Sequence, residues 1–169
     1  MTPRIRQIEV GELKRCDRAV DMIVIHCSAT REDRRYVLSQ LDRDHRARGF
    51  DGIGYHFYID IKGKIFATRD MEVAGAHTKG YNYRSIGICY EGGLDSQERP
   101  KDTRTEAQRE SMRQLVDRLC DLHGKVRIAG HRELNPHKAC PCFDAKAEFD
   151  FLFSQKEVSH EGQRSTQLG

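Results

Sequence analysis

The sequence predicts an α+β fold: a single domain whose central mixed β-sheet, of about five or six strands, is flanked by helices on both faces. Three observations carry this expectation. Short apolar and β-branched runs bounded by turn residues recur along the chain, as buried strands do. Two longer segments instead space their apolar residues along one helical face. A Lys62-Gly63 turn joins two strand-like segments into a hairpin, so the sheet is not a strictly parallel repeat. With 169 residues, 37% hydrophobic and 33% charged, the chain can build one core under a heavily charged surface.

Residues 1–20 are polar and patternless, and are expected to form an N-terminal arm or an edge strand. Met22-Ile23-Val24-Ile25-His26-Cys27 is a short apolar run of the kind found in a central strand. Val37 to Arg48 carries Val37, Leu38, Leu41 and His45 at helical spacing and stops at Gly49. Tyr55 to Ile61 and Lys64 to Thr68 form the hairpin, and Ser85 to Tyr90 is a further buried strand closed by Gly92-Gly93. Thr105 and Gln108 fit a capping box that opens a helix running to His123, with Met112, Leu115, Val116, Leu119 and Leu122 as its apolar stripe. Val126 to Ala129 reads as the next strand, and Asp144 as the cap of a short last helix carrying Phe149, Leu152 and Phe153. The main domain is expected over residues 21–153, and a disordered polar tail over 154–169.

Composition excludes several classes. A net charge of +3, from 29 basic and 26 acidic residues, gives no reason to expect a nucleic-acid partner. No apolar stretch approaches the ~20 residues that span a bilayer. The N-terminus lacks the apolar segment of a secretory signal, so synthesis and retention in the cytosol are expected. In that compartment the six cysteines are expected to stay reduced.

The chemistry lies in His26, His131 and Cys140. His26 sits where one buried run ends, His131 follows another, and Cys140 lies in the Pro-punctuated loop Lys138-Ala139-Cys140-Pro141-Cys142-Phe143. Either histidine alone reads equally well as an ordinary strand-end residue. Together, two imidazoles and a thiolate form a donor set that zinc prefers, and three protein ligands leave a tetrahedral position open for catalysis. The spacing matches neither a zinc finger nor a His-Glu-x-x-His helix.

An ordered series of segments adds to this. Ile25-His26-Cys27-Ser28-Ala29-Thr30, Asp44-His45-Arg46-Ala47-Arg48-Gly49-Phe50 and Ile53-Gly54-Tyr55-His56-Phe57 are followed by Gly75-Ala76-His77-Thr78-Lys79-Gly80-Tyr81-Asn82. Ser85-Ile86-Gly87-Ile88-Cys89, Gly130-His131-Arg132-Glu133 and Lys138-Ala139-Cys140-Pro141 complete the series. In these segments the chain resembles the zinc-dependent N-acetylmuramoyl-L-alanine amidases of type 2, relatives of the peptidoglycan recognition proteins, and most of all the small phage lysozymes of amidase type.

The resemblance implies a zinc ion held by His26, His131 and Cys140, with Tyr55 and Lys138 at the catalytic positions. It implies that the substrate is bacterial peptidoglycan, cut at the amide between N-acetylmuramic acid and L-alanine. A monomer is expected, reaching the wall when a holin or lysis releases it. Read without the resemblance, Lys138 is a solvated loop lysine and Tyr55 a core tyrosine with a wet hydroxyl. His77, Asn82 and Arg84 fall in the stretch that lines the substrate groove of the resembling family, and compete with a reading as plain loop residues.

Two features depart from the phage pattern. Cys142 stands where those lysozymes carry serine, and in an extended segment it would share a side with Cys140 as filler, oxidation partner or occluding fourth ligand. His137 lengthens the loop and adds a possible competing ligand. Three rivals remain at this point. One is a peptidoglycan-binding module without activity, and another a zinc-stabilised regulator of an intracellular partner. The third, a thiol hydrolase using Cys27, is disfavoured because strand neighbours His26 and Cys27 face opposite sides.

Overall fold

The computed structural model describes residues 5–124 and 126–155. In chain order the described elements begin with β1 (Arg6–Ile8), β2 (Met22–Cys27), β3 (Thr30–Arg31) and α1 (Leu38–Ala47). There follow β4 (Phe57–Ile59), β5 (Ile65–Ala67), β6 (Ser85–Tyr90), β7 (Gly93–Leu94) and α2 (Glu106–His123). The chain continues through β8 (Arg127–Gly130) and α3 (His131–Leu134), then a last helix, α4, over residues 145–155.

Six strands form one mixed sheet in the order β1-β5-β4-β6-β2-β8. Strands β4, β6, β2 and β8 run parallel to one another, β5 pairs antiparallel with β4, and β1 pairs antiparallel with β5 at the edge. All six residues of β2 are buried, as its unbroken apolar run requires of a strand covered on both faces. Strands β3 and β7 pair separately, just beyond the ends of β2 and β6.

The alternation of side chains along a strand sorts the sheet into two faces. On one, Ile23, Ile25, Ile86, Ile88 and Tyr90 pack against Met112, Leu115, Val116 and Leu119 of α2 and Phe149 of α4. On the other, Tyr58 and Cys89 pack with Leu41 of α1 and Ile53. Helices therefore cover both faces, as expected. Leu115 is fully buried, and its truncation to alanine would cost about 2–5 kcal/mol.

Strands β2 and β6 have the bounds the sequence implied. Helix α1 stops before Gly49, whose φ of 92° only glycine adopts without strain. The α2 capping box is present: Gln108 N–H donates to Thr105 Oγ1 (3.1 Å) and Thr105 N–H to Gln108 Oε1 (2.9 Å). Of the two expectations for the N-terminal residues, the edge strand describes Arg6–Ile8, which pairs with β5. Strand β4 starts at Phe57, so Tyr55 and His56 lie before it. Asp144 Oδ1 caps α4 by accepting from Ala147 N–H at 3.0 Å. That helix runs through Ser154 and Gln155, where the tail was expected to begin; the rest of that tail lies outside the described residues.

Candidate metal centre and catalytic groove

Strand pairing brings the three donors together. Strands β2 and β8 are parallel neighbours with Ile25 opposite Gly130, so His26 and His131 leave adjacent carboxyl ends, the usual ligand edge of such a sheet. Their ring centroids lie 4.6 Å apart. The loop after α3 folds back over this edge. Arg132 N–H donates to Cys140 O (2.7 Å), Tyr90 Oη donates to Pro141 O (2.6 Å), and Cys27 N–H donates to Cys140 Sγ (3.1 Å). Phe143 anchors the loop under the buried Arg104 guanidinium, 3.4 Å above its ring, which is itself paired with Asp102 and Glu148.

One donor atom from each of His26, His131 and Cys140 lies within 4.8 Å of the other two. A tetrahedral zinc sets neighbouring N and S donors roughly 3.3–3.7 Å apart, so side-chain shifts of about 1 Å close the site. Burial first, then the neighbouring His77, pushes the His26 pKa well below its ordinary value; burial and the Lys138 ammonium lower that of His131. Both rings are therefore held neutral, with a lone pair to offer. The donor set fits zinc on geometry and on chemistry.

Around these donors opens a groove of about 570 Å³. Tyr55, His77, Asn82 and Lys138 line it with the three donors. Arg48, Phe50 and Lys79 line it too, although no role was expected of them; Lys79 lay within the Gly-rich segment that should have pointed to it. Arg48, Lys79 and Lys138 bring positive charge, and no Asp or Glu is among the lining residues, a setting that attracts a carboxylate-bearing ligand. A larger concavity of about 820 Å³ between α2 and α4 gathers no comparable chemistry.

The half-buried Tyr55 ring lies 5.0 Å from the His26 ring and 5.3 Å from that of His45. Burial raises the pKa of its hydroxyl well above the usual value, so it stays a neutral donor. His45 braces it from α1, with Nδ1 accepting from Gly54 N–H at 2.9 Å, and is not one of the three clustered donors. Lys138 is exposed at the groove mouth. His56 is fully buried away from the groove: Nδ1 accepts from Gly87 N–H (3.0 Å), which leaves Nε2–H to donate to Val73 O (2.8 Å).

Two expectations change, and of the three readings offered for Cys142 the filler one stands. Arg84 lies outside the groove lining, and its Nε donates to Asp21 Oδ1 at 2.8 Å, because the turn at Asn82–Arg84 directs it toward the opposite end of the sheet. Asn82 lines the groove, but its Oδ1 is spent on the backbone, accepting from the N–H groups of His77 and Thr78 at 2.9 Å each. Cys142 occludes nothing: its φ of 69° breaks the extended run, and its thiol donates to Gly93 O (3.3 Å) and rests 3.9 Å from Cys27 Sγ. It is filler under the loop. Contact with the Cys140 sulfur and burial push the Cys27 thiol up, which disarms it as a nucleophile. His137 is exposed and stands outside the metal group.

Residues 17–143 match the protein family described as N-acetylmuramoyl-L-alanine amidase. The chain is 38% identical to the endolysin of Escherichia phage T7 over 128 residues, 76% of this chain and 84% of that protein. It is 39% identical to the endolysin of Enterobacteria phage T3 over 127 residues, 75% of this chain and 83% of that one. Among solved structures it is similar to the N-acetylmuramoyl-L-alanine amidase LysC from Clostridium intestinale URNW, with a TM-score of 0.65 and 28% identity over 76% of this chain and 80% of the other. It is also similar to peptidoglycan recognition protein-LE in complex with tracheal cytotoxin, a monomeric diaminopimelic acid-type peptidoglycan, with a TM-score of 0.60 and 29% identity over 75% and 76% of the two chains.

Proposed function

We propose, from the premise that this chain belongs to the N-acetylmuramoyl-L-alanine amidase family, that it cuts the amide between N-acetylmuramic acid and L-alanine with a zinc ion held by His26, His131 and Cys140. The chain is a peptidoglycan-hydrolysing amidase of the phage endolysin kind. What supports the zinc reading is one observation: two neutral imidazoles and a thiol converge within 4.8 Å at the floor of a groove lined by no carboxylate.

Bound there, zinc would supply Lewis acidity to polarise the scissile carbonyl and to acidify the attacking water. The remaining roles fall to the chain itself. Lys138 places an ammonium where negative charge develops on the carbonyl oxygen, and the Tyr55 hydroxyl, kept protonated by burial, donates a hydrogen bond beside it. Arg48 and Lys79 hold the anionic stem peptide along the groove. Among the described residues no helix is long and apolar enough to cross a membrane. The proposed enzyme acts as a monomer that reaches the wall through a lesion made by another protein.

The test is mass analysis of purified sacculi after digestion. Stem peptides with a free L-alanine amine and peptide-free glycan are expected, lost on chelation and restored by zinc. Full-rate cleavage by chelated protein would sink the zinc reading. Binding to sacculi without any product would leave only a recognition module.

A further inference from the structure

His77 contributes to the groove wall, yet its imidazole is built inward. A Cβ added at Gly87 would meet His77 Cδ2 at 2.6 Å and its Cγ and Nε2 at 2.8 Å; one added at Gly75 would meet Cδ2 at 2.4 Å. Neither glycine has a positive φ, so the backbone does not demand them. The ring demands them: they open a slot above β6 that only the absence of side chains can make. Asn82 Oδ1 locks the backbone on either side of this ring, accepting from His77 N–H and Thr78 N–H.

Inside the slot both ring nitrogens are taken. His77 Nδ1 lies 2.8 Å from His26 Nε2 and 3.0 Å from Thr78 Oγ1, and His77 Nε2 lies 3.3 Å from Ser85 Oγ. We infer that His77 is a positioning residue for the metal site, fixing the tautomer and the aim of His26 rather than contacting substrate. This rests on the zinc reading above.

The bonding admits a simple proton arrangement. With Nε2 turned to His77, Nδ1 of His26 is the nitrogen left to face the other donors. His26 then carries its proton on Nε2 and donates it to His77 Nδ1. His77 in turn carries its proton on Nε2 and donates to Ser85 Oγ. A ligating histidine ordinarily gives its second N–H to a carboxylate, carbonyl or water. Here a neutral imidazole takes that place. The alternation of β2 and β6 explains why it can: His26, Ser85 and Gly87 all point to the same face of the sheet, with Ser85 paired to Met22 and Gly87 to Val24.

The experiment compares zinc affinity of the full chain, stripped of metal, by competition with a chromophoric chelator, alongside its thermal unfolding. His77→Leu, which cannot accept a proton, is expected to bind zinc about 10–100-fold more weakly than the parent. His77→Asn sets an amide oxygen where Nδ1 stood and is expected to restore most of that loss. His77→Gln reaches toward Ser85 instead and is expected to stay weak. A slot that mattered only for packing would make Asn and Gln equally poor. Parental affinity in a folded Leu variant would overturn the inference, as would a Gln variant that binds as tightly as Asn; the Asn–Gln pair decides the matter if Leu does not fold. A parent protein that takes up no zinc would overturn the zinc reading itself, and this inference with it.

Discussion

His56 makes a quantitative demand on how stability depends on pH. Its Nδ1 accepts from Gly87 N–H, the residue that floors the His77 slot, and its ring is fully buried. Protonating it would set two donors face to face without water to intervene. Burial accordingly lowers its pKa to about 4, against the ordinary 6.5. Between those values the unfolded chain binds a proton that the folded chain refuses, so stability falls as pH falls through 6.5 and levels off below 4. At pH 5 the loss relative to pH 7 comes to about 2 kcal/mol for this one group.

Urea unfolding of the zinc-free protein, followed by circular dichroism from pH 7 to pH 5, measures it. His56→Asn keeps an acceptor for Gly87 N–H, gives up the bond to Val73 O and no longer titrates. It should be the less stable protein at pH 7, and the gap should close by about 2 kcal/mol on reaching pH 5. His26, His45, His77 and His131, whose pKa values are also lowered, titrate in both proteins and cancel in the difference. Parallel curves would refute the argument.

The two loop thiols should behave oppositely. Cys140→Ser is expected to weaken zinc binding severely, whereas Cys142→Ala should retain full zinc stoichiometry and turnover and lose no more than about 1–2 kcal/mol of stability for its missing sulfur. Metal analysis after dialysis separates the two, and loss of zinc from the Cys142 variant would make it a ligand after all. Lys138→Ala should keep its zinc and its fold while kcat on muropeptides drops about 10²–10³-fold, read by single-turnover kinetics. An unchanged kcat would return Lys138 to an ordinary surface lysine.

Elements written in local pattern are legible in the sequence itself. The unbroken apolar runs of β2 and β6, the stop at Gly49 and the Thr105–Gln108 box each depend on neighbours within a few residues, so their spacing alone specifies them. The three donor types were legible too, because thiol and imidazole chemistry belongs to the residue and not to its surroundings. Direction was not. That Cys142 turns from the donors follows from one left-handed backbone angle, and that Arg84 leaves the groove follows from a turn that aims it at Asp21.

The inward set of His77 was hidden for the same reason: Gly75 and Gly87 look like loop and strand glycines until the ring they admit is seen between them. Convergence itself was beyond any local signal. Cys27 N–H reaches Cys140 Sγ across 113 positions of chain, and it does so only because β8 pairs with β2 in a register that sets Gly130 beside Ile25. Local spacing encodes which residues share a face. Sheet order and register, set by long-range packing, determine which faces meet.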